Sequence, residues 1–176
     1  CSATSAVTTV NVTPLPTPSV SVIGATTFCQ GGSVTLTAST AGAYLWSNGA
    51  TTQTIVVNTP GNYTVQATTN GCAATTAAIP VVVNALPTAG ITAAGPTTFC
   101  QGGSVVLTAA AASSYLWSNG ATTQSITVNT SGNYTVQATN ANGCSASSAA
   151  TAVSVQAPPA QPQIVVNGAL ALCPGS

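Results

Sequence analysis

Two stretches of this sequence are nearly the same and decide its fold. Residues 25–68 read ATTFCQGGSVTLTASTAGAYLWSNGATTQTIVVNTPGNYTVQAT, and residues 96–139 read PTTFCQGGSVVLTAAAASSYLWSNGATTQSITVNTSGNYTVQAT. Aligned at an offset of 71, they are identical at 35 of 44 positions. Self-similarity at a fixed spacing is the signature of a repeat protein. The spacing becomes 72 after one extra residue at Asn140 and Ala141, so the sequence predicts repeats of about 72 residues.

The two ends of the chain continue the same pattern. Residues 1–3 match residues 144–146, and residues 172–176 match the stretch that begins at Phe99. Proline clusters at residues 14–18, at Pro87 and at residues 158–162 favour extended, semi-rigid spacers. We therefore expect a piece of a longer chain, with the last strand of a preceding repeat at residues 1–13, a first repeat at 14–84, a second at 85–156 and the first strand of a following repeat at 157–176.

Each repeat contains short segments in which apolar and polar residues alternate, separated by turn signals such as Asn48-Gly49. This pattern predicts β-strands, and helix signals are absent. In the first repeat we expect strands A, B, C, E, F and G at residues 20–22, 34–38, 44–46, 54–57, 63–68 and 77–83. Seven or fewer short strands in about 72 residues fit a small sandwich. The sequence therefore predicts an all-β fold of tandem immunoglobulin-like antiparallel β-sandwich repeats.

Four aromatic residues recur where such sandwiches keep their core. Trp46 and Trp117 fall on strand C, where immunoglobulin-like domains bury a tryptophan. Tyr63 and Tyr134 follow Gly-Asn at the start of strand F, as in a tyrosine corner. The same rings could instead form a platform that stacks on a sugar. Because their strand positions are core positions, we predict that all four are core residues.

The 176 residues include no Lys, Arg, Asp, Glu or His. Acid–base catalysis depends on these groups, and a Ser, Thr or Cys nucleophile needs a neighbouring base or cation. We therefore expect no enzyme activity and no cofactor. Metal binding is disfavoured as well, because carboxylates are absent and the six cysteines are spaced 28 to 44 residues apart. The chain lacks the cations that bind nucleic acid or anionic membranes, and no apolar run is long enough for membrane insertion.

The cysteines allow two periodic pairing schemes. Pairing within a repeat joins Cys29 to Cys72 and Cys100 to Cys144. Pairing across repeats joins Cys29 to Cys144, because sandwich topology brings the A–B turn of one repeat beside the F–G turn of the next. The sequence leaves both schemes open. In either scheme Cys1 and Cys173 are expected to pair with repeats outside the fragment.

Four motifs together resemble one known group of repeats. They are FCQGGSVTLTA from Phe28, YLWSNGATTQ from Tyr44, GNYTVQA from Gly61 and NGC from Asn70. They resemble the immunoglobulin-like (PKD-like) repeats of large secreted and gliding-associated surface proteins of Bacteroidetes-type bacteria. The resemblance covers nearly the whole chain. It implies an extracellular location at the bacterial cell surface, export by the type IX secretion system, and a role as an adhesin, stalk or filament.

These observations lead to a functional hypothesis. We interpret the chain as a structural or adhesive extracellular repeat protein that forms a stiff cell-surface stalk or filament. Its expected partners are further copies, along or between filaments, together with surface glycans or other cells. The alternative is a carbohydrate-binding or spacer module of a larger secreted enzyme. Regularly placed cysteines in a β-rich chain also favour an oxidising compartment outside the cytoplasm.

Overall fold

The computed structural model of the chain describes residues 1–163, 165 and 167. Throughout these residues the regular structure is β-strand, arranged in two immunoglobulin-like sandwiches that follow the two repeats. The all-β, immunoglobulin-like fold predicted from the repeat pattern is therefore confirmed.

The first repeat uses residues 20–84 for its strands. In chain order they are β1 Val20–Ile23, β2 Thr27–Cys29, β3 Val34–Ala38, β4 Ala43–Trp46, β5 Thr54–Val57, β6 Gly61–Tyr63, β7 Val65–Thr69, β8 Cys72–Thr75 and β9 Ile79–Asn84. Thr64 alone separates β6 from β7, and a short break separates β8 from β9. Each pair is therefore one interrupted strand, corresponding to strands F and G.

The strands of the first repeat form two layers. One layer has the order β1-β3-β5, and all its pairs are antiparallel. The other is built around the long F–G hairpin, in which β7 lies between β4 and β8, and β9 lies between β2 and β6. The pairing of β2 with β9 is parallel, so this layer departs from the purely antiparallel sandwich that was expected.

Alternation of side chains along the strands builds the core between these layers. On β3, Val34, Leu36 and Ala38 are buried, as the sequence predicts, while the threonines between them lie on the outer face. From the opposite layer Val65 and Trp46 meet them in one cluster. Because successive side chains of a strand point to opposite faces, a period of two in the sequence is enough to specify this core.

The second repeat reproduces the first. Its strands are β10 Ile91–Ala93, β11 Thr98–Cys100, β12 Val105–Ala109, β13 Ser114–Trp117, β14 Ser125–Val128, β15 Gly132–Tyr134, β16 Val136–Thr139, β17 Ser145–Ser147 and β18 Thr151–Gln156. The sheet orders β10-β12-β14, β13-β16-β17 and β11-β18-β15 match those of the first repeat. Its core is the corresponding cluster around Leu107, Trp117 and Val136.

Two features of the strands differ from the sequence-based expectation. The short strand β2 was not expected, because three residues flanked by Thr and Gln carry too little alternation to stand out. Residues 77–83 were expected to be most of strand G, but the strand begins at Cys72, and its first half is the alanine-rich segment Cys72–Thr75. Backbone hydrogen bonds to β7 hold this segment in the sheet, and alanine contributes little hydrophobic signal.

The assignment of the two chain ends to neighbouring repeats stays a prediction. Residues 1–13, expected to be the last strand of a preceding repeat, form no strand within the described residues. In the segment 157–176, expected to begin a following repeat, residues 157–163, 165 and 167 form no strand and the remainder lie outside the described residues.

The chain divides into two compact units that do not follow the repeat boundaries strictly. The first unit comprises residues 1–87 together with Asn140–Ser145, and the second comprises Thr88–Thr139 and the chain from Ala146 onward. Six residues of the second repeat's F–G turn therefore belong to the first unit. This segment carries Cys144.

Candidate functional site

The first half of the candidate site is the turn after β2, which carries Cys29. Cys29 is the last residue of β2 and lies opposite Asn84 at the end of β9. The Gln30 N–H donates to the Asn84 carbonyl at 2.8 Å, and the Gly32 N–H donates to the Cys29 carbonyl at 2.9 Å. A Cβ atom at Gly32 would lie 3.1 Å from both the Cys29 carbonyl oxygen and a Phe28 ring carbon. The glycine therefore permits the tight turn that fixes Cys29.

The second half is the F–G turn of the second repeat, which carries Cys144. Asn140 organises this turn: its Oδ1 accepts from the N–H groups of Asn142 and Cys144, both at 3.0 Å. Its own N–H donates to the Cys144 carbonyl at 2.9 Å. Asparagine commonly stabilises turns through such side-chain to backbone hydrogen bonds. Cys144 itself is 1% exposed.

A disulfide joins Cys29 to Cys144, whose Cα atoms are 5.6 Å apart and which are separated by 115 positions in the chain. Beside it, the Asn140 Nδ2 group donates to the Ala85 carbonyl at 2.9 Å. All these residues belong to the first unit. One covalent bond and one side-chain hydrogen bond thus hold residues 140–145, which the second repeat contributes, within the unit built on the first repeat.

The observed disulfide is the one that the cross-repeat scheme predicts. The other scheme, in which Cys29 pairs with Cys72 and Cys100 pairs with Cys144, is wrong. The reason lies in strand G. Cys29 lies beside Asn84 at one end of that strand, whereas Cys72 begins it twelve residues earlier. At about 3.3 Å per residue the two ends are roughly 40 Å apart. A disulfide needs Cα atoms within about 7 Å, so the two cysteines of one repeat cannot meet.

The three other cysteines in the described part of the chain are not bonded to one another. Cys1 and Cys100 are exposed thiols and Cys72 is a half-buried one. Cys173 lies outside the described residues, so its expected pairing, like that of Cys1, stays a prediction.

The four aromatic residues lie inside the sandwiches. Trp46 and Trp117 are each 2% exposed, and each indole N–H donates at 2.8 Å to a backbone carbonyl of the turn that follows, at Thr52 and Thr123. Tyr63 and Tyr134 are similarly buried. The Tyr63 hydroxyl donates to the Thr59 carbonyl at 3.1 Å, which is the hydrogen bond of a tyrosine corner. Their ring faces are packed against core side chains and are not available to stack on a sugar.

Asn140 is the site residue that the sequence reasoning missed. It is part of the one-residue insertion that breaks the period of 71, and that irregularity is the signal that could have marked it. In the first repeat the F–G turn is the two-residue turn Asn70-Gly71, with φ angles of 51° and 82°, which is the preferred short hairpin connection. The longer turn of the second repeat places an extra asparagine beside the disulfide.

Replacing Asn140 with alanine should make the Cys29–Cys144 disulfide easier to reduce. The substitution removes the donor to Ala85 and two acceptor contacts that shape the turn. One such hydrogen bond contributes about 0.5 to 1.5 kcal/mol, so a loss of about 1 to 2 kcal/mol for the three together is a conservative expectation. We expect dithiothreitol to reduce the variant roughly 5- to 30-fold faster than the parent. Asn119→Ala is the matched control, because Asn119 makes the same kind of turn bond to Ala121 far from the disulfide. Equal reduction rates in parent and Asn140→Ala would contradict this role.

The candidate site has no charged side chains with which to bind ions or charged ligands. The chain has no charged side chain, and within residues 1–163, 165 and 167 no three Cys, His, Asp or Glu side chains come together as a set of metal ligands. Over the same residues, no helix is present that has the length and apolar character to cross a membrane. The disulfide can therefore restrict the conformations of the chain. For ligands the site offers backbone groups and hydroxyls, which form hydrogen bonds between neutral partners.

Comparison with known proteins finds similarity only among solved structures. No protein-family model matches the chain, and no curated protein matches it. Among solved structures it is similar to murine CEACAM1b, with 13% identity and a TM-score of 0.37, over 79% of this chain and all of that one. It is also similar to a chain of the mouse coronavirus receptor-binding domain in complex with its murine receptor, with 13% identity and a TM-score of 0.39, over 78% of this chain and all of that one. Similarity at this level carries no further argument.

Proposed function

We propose that this chain is a structural element of an extracellular protein, a segment of a stalk or filament whose repeats are cross-linked by disulfides. The observation that carries the proposal is the Cys29–Cys144 bond, which ties the turn after strand β2 of the first repeat to the F–G turn of the second. A bond of this kind between successive repeats limits how far they can reorient, and stalks and filaments depend on that restriction.

The position of the bond in the chain also determines how tension passes through the molecule. Within the described residues, Cys29 ends β2 and has only β1 before that strand, and Cys144 precedes only β17 and β18. A force applied along the chain therefore passes through the two sulfur atoms and bypasses residues 30–143. Most of both sandwiches are then protected from being pulled apart, which is the property required of a load-bearing segment.

The proposed compartment follows from the same bond. Disulfides persist in oxidising surroundings outside the cytoplasm, and a link between two cysteines 115 positions apart, of which Cys144 is fully buried, is structural in character. Together with the motif resemblance noted above, this supports a location on a bacterial cell surface with export by the type IX secretion system. The bacterial source and the secretion route are both part of the proposal.

Lateral self-association is a further part of the proposal. Strands β5 and β4 lie at the open edges of their layers, and they carry exposed apolar side chains at Val56 and Leu45. Proteins commonly protect such edges with lysine or other charges, and this chain has none. Copies should therefore associate edge to edge at high concentration, and light scattering of a dilution series measures this directly.

The stability of the chain should be almost independent of pH and salt. Stability changes with pH when folded and unfolded states bind different numbers of protons, and the chain has no Asp, Glu, His, Lys or Arg to titrate. Between about pH 4 and pH 8 we expect the urea midpoint to stay constant, and sodium chloride between about 0.05 and 0.5 M should not shift it through screening. A midpoint that moves steadily with pH over this interval would contradict the expectation.

Spin labels on the two repeats test the structural role. Thr51 and Thr122 are exposed and occupy equivalent turn positions, so a non-canonical amino acid at each can carry a label and leave the cysteines intact. The proposal predicts a narrow distribution of label distances in the oxidised chain and a markedly broader one in Cys29→Ser/Cys144→Ser. Cys72→Ser/Cys100→Ser is the matched control and should keep the narrow distribution. Equally broad distance distributions in all three proteins would mean that the two repeats are flexibly linked, and would contradict the proposal.

A glycan array separates this role from that of a carbohydrate-binding module. The aromatic residues that could have formed a stacking platform are buried in both repeats. We therefore expect the oxidised chain to bind no single class of sugar. Binding to one class, lost when Trp46 or Trp117 is replaced by phenylalanine, would favour the module over the stalk.

A further inference from the structure

The side chains of this chain decide which proteases can cut it. Serine proteases select the residue before the cleaved bond with a pocket that is acidic in trypsin, a wide apolar slot in chymotrypsin and small in elastase. The sequence has no Lys, Arg, Asp or Glu, so proteases of the trypsin and glutamyl-specific types have no site in it. Chymotrypsin-type and elastase-type proteases are left to consider.

Most of the large apolar residues lie in paired strands. In the described part of the chain, all eight aromatic residues and four of the six leucines are strand residues. A protease holds its substrate as an extended segment in its own cleft, so a paired strand must leave its sheet before it can be cut. Leu45 and Leu116 have side chains about half exposed, yet their backbones pair with β7 and β16. Exposure of the side chain alone therefore gives chymotrypsin no access.

The two leucines outside the strands of the described chain each precede a proline. Leu15 is followed by Pro16 and Leu86 by Pro87, and both leucine side chains are exposed. Proline has no N–H, and its ring fixes the backbone. A proline directly after the cleaved bond does not fit the active site of a chymotrypsin-type protease. Within the described residues, the folded chain thus has no bond open to this class.

Small side chains remain, and residues 85–90, the linker between β9 and β10, carry several of them outside any strand. Hydrogen bonds hold only the two ends of the linker: the Ala85 carbonyl accepts from the Asn140 side chain, and the Gly90 carbonyl accepts from a backbone N–H. Residues 86–89 make no hydrogen bond within the described chain. Because Pro87 blocks the bond before it, the accessible bonds are those after Thr88 and Ala89.

The turns inside the sandwiches are held more firmly than the linker. Each connection of three or more residues within either sandwich takes part in at least one hydrogen bond. In the turn at residues 47–53, for example, the backbone and indole N–H groups of Trp46 donate to the carbonyls of Ala50 and Thr52. Burial and hydrogen bonding of the backbone determine where a folded chain is nicked. The linker should therefore be cut before these turns.

We infer that proteases with a small specificity pocket cut the folded chain at the linker, after Thr88 or Ala89, and that the two halves stay joined. Water adds across the peptide bond, its hydroxyl to the carbonyl carbon and its hydrogen to the nitrogen, which leaves a carboxyl and an amino group. The cut falls between Cys29 and Cys144, so their disulfide connects the two fragments. Strands β1 to β9 precede the cut and β10 to β18 follow it, so each sandwich keeps all its strands.

The disulfide thus gives the chain a second activity as a substrate that survives proteolysis. Its covalent continuity no longer depends on the linker, which is the one segment between the sandwiches that a protease reaches. This inference goes beyond the proposed function, because it concerns resistance to extracellular proteases and does not require the chain to bear a load.

Limited proteolysis of the full, oxidised chain tests the inference. Trypsin, a glutamyl endopeptidase, chymotrypsin and pancreatic elastase are applied separately, and mass spectra with and without dithiothreitol locate cuts between residues 20 and 156. We expect cuts there from elastase alone. Elastase should cut after Thr88 or Ala89 at least about ten times more often than at any other bond in this range, because the turns must first break their hydrogen bonds. The nicked product should separate into two fragments only after reduction, and both tryptophans should keep the emission of buried rings.

A variant of the linker tests the role of proline. Pro87→Ala should gain a chymotrypsin cut after Leu86 that the parent lacks. Leu86→Ala/Pro87→Ala is the matched control and should resist chymotrypsin again, because it has the same altered backbone without the large side chain. Unchanged tryptophan emission checks that both variants are folded.

Three results would overturn the inference. They are a first elastase cut inside either sandwich, a chymotrypsin cut of the parent between residues 20 and 156, and a folded Pro87→Ala chain that resists chymotrypsin. Peptide mapping of the uncut chain reports the Cys29–Cys144 link separately. Where that link is present, these results defeat only this inference. Halves that separate without reductant, from a chain in which the link is missing, defeat the proposed function as well.

Discussion

Replacing both Cys29 and Cys144 with serine should lower the free energy of unfolding of the oxidised chain by about 5 kcal/mol. The disulfide closes a loop of about 115 residues, and in the chain-entropy model a link of that length restricts the unfolded chain by roughly this amount. Because the loop spans most of both repeats, the disulfide lowers the conformational entropy of the chain fully only when both repeats are unfolded. Urea denaturation of parent and variant under oxidising conditions measures the difference.

The control for this prediction is Cys72→Ser/Cys100→Ser, which removes two thiols and no disulfide. It should change the free energy of unfolding by less than about 0.5 kcal/mol, because Cys100 is exposed, Cys72 is only half-buried and neither belongs to a core cluster. Reducing the parent with dithiothreitol should bring it to the midpoint of Cys29→Ser/Cys144→Ser. A loss below about 1 kcal/mol in that variant would mean that the bond does not restrain the unfolded chain.

Replacing Trp46 with alanine should destabilise the first repeat by about 3 to 5 kcal/mol. The indole is 2% exposed in the centre of the core, so the substitution leaves a large cavity and removes the donor to the Thr52 carbonyl. Small domains have a free energy of unfolding of only about 5 to 15 kcal/mol, so the first repeat would lose a large part of its stability. Each repeat contains one tryptophan, so Trp117 fluorescence then reports on the second repeat alone.

The control lies next to Trp46 in the sequence. Leu45 is 51% exposed on the same strand, and Leu45→Ala should change stability by no more than about 0.5 kcal/mol. Trp117→Ala should reproduce the loss in the second repeat, since its surroundings are the same. A change below about 1 kcal/mol in both tryptophan variants would mean that the rings are not core residues in solution.

The sequence predicts the fold well because two kinds of signal agree. Alternation on the strand of Val34, Leu36 and Ala38 specifies which face is buried, and turn residues such as Asn48-Gly49 mark where strands end. The near-identical second repeat then fixes the period. Strand β2 escapes this reasoning because its position depends on parallel pairing with β9, a contact between segments more than fifty residues apart.

The candidate site is predicted only in part from the sequence. The spacing of the cysteines reduces the pairings to two schemes, and deciding between them requires knowing which end of strand G each cysteine occupies. That depends on the pairing of Cys29 with Asn84, which follows from the unexpected strand β2. Asn140 acts through backbone groups of its own turn and through Ala85, and residue types alone do not reveal such contacts.

Stretching single molecules from both ends tests most directly the claim that the Cys29–Cys144 disulfide carries tension past both repeats. Under oxidising conditions the unfolded length should exclude the residues between the two cysteines, and adding dithiothreitol should release about 400 Å more, at up to about 3.6 Å per residue for 115 residues. Cys29→Ser/Cys144→Ser should reach the full length without reductant. An oxidised parent chain that extends to that full length would contradict the account.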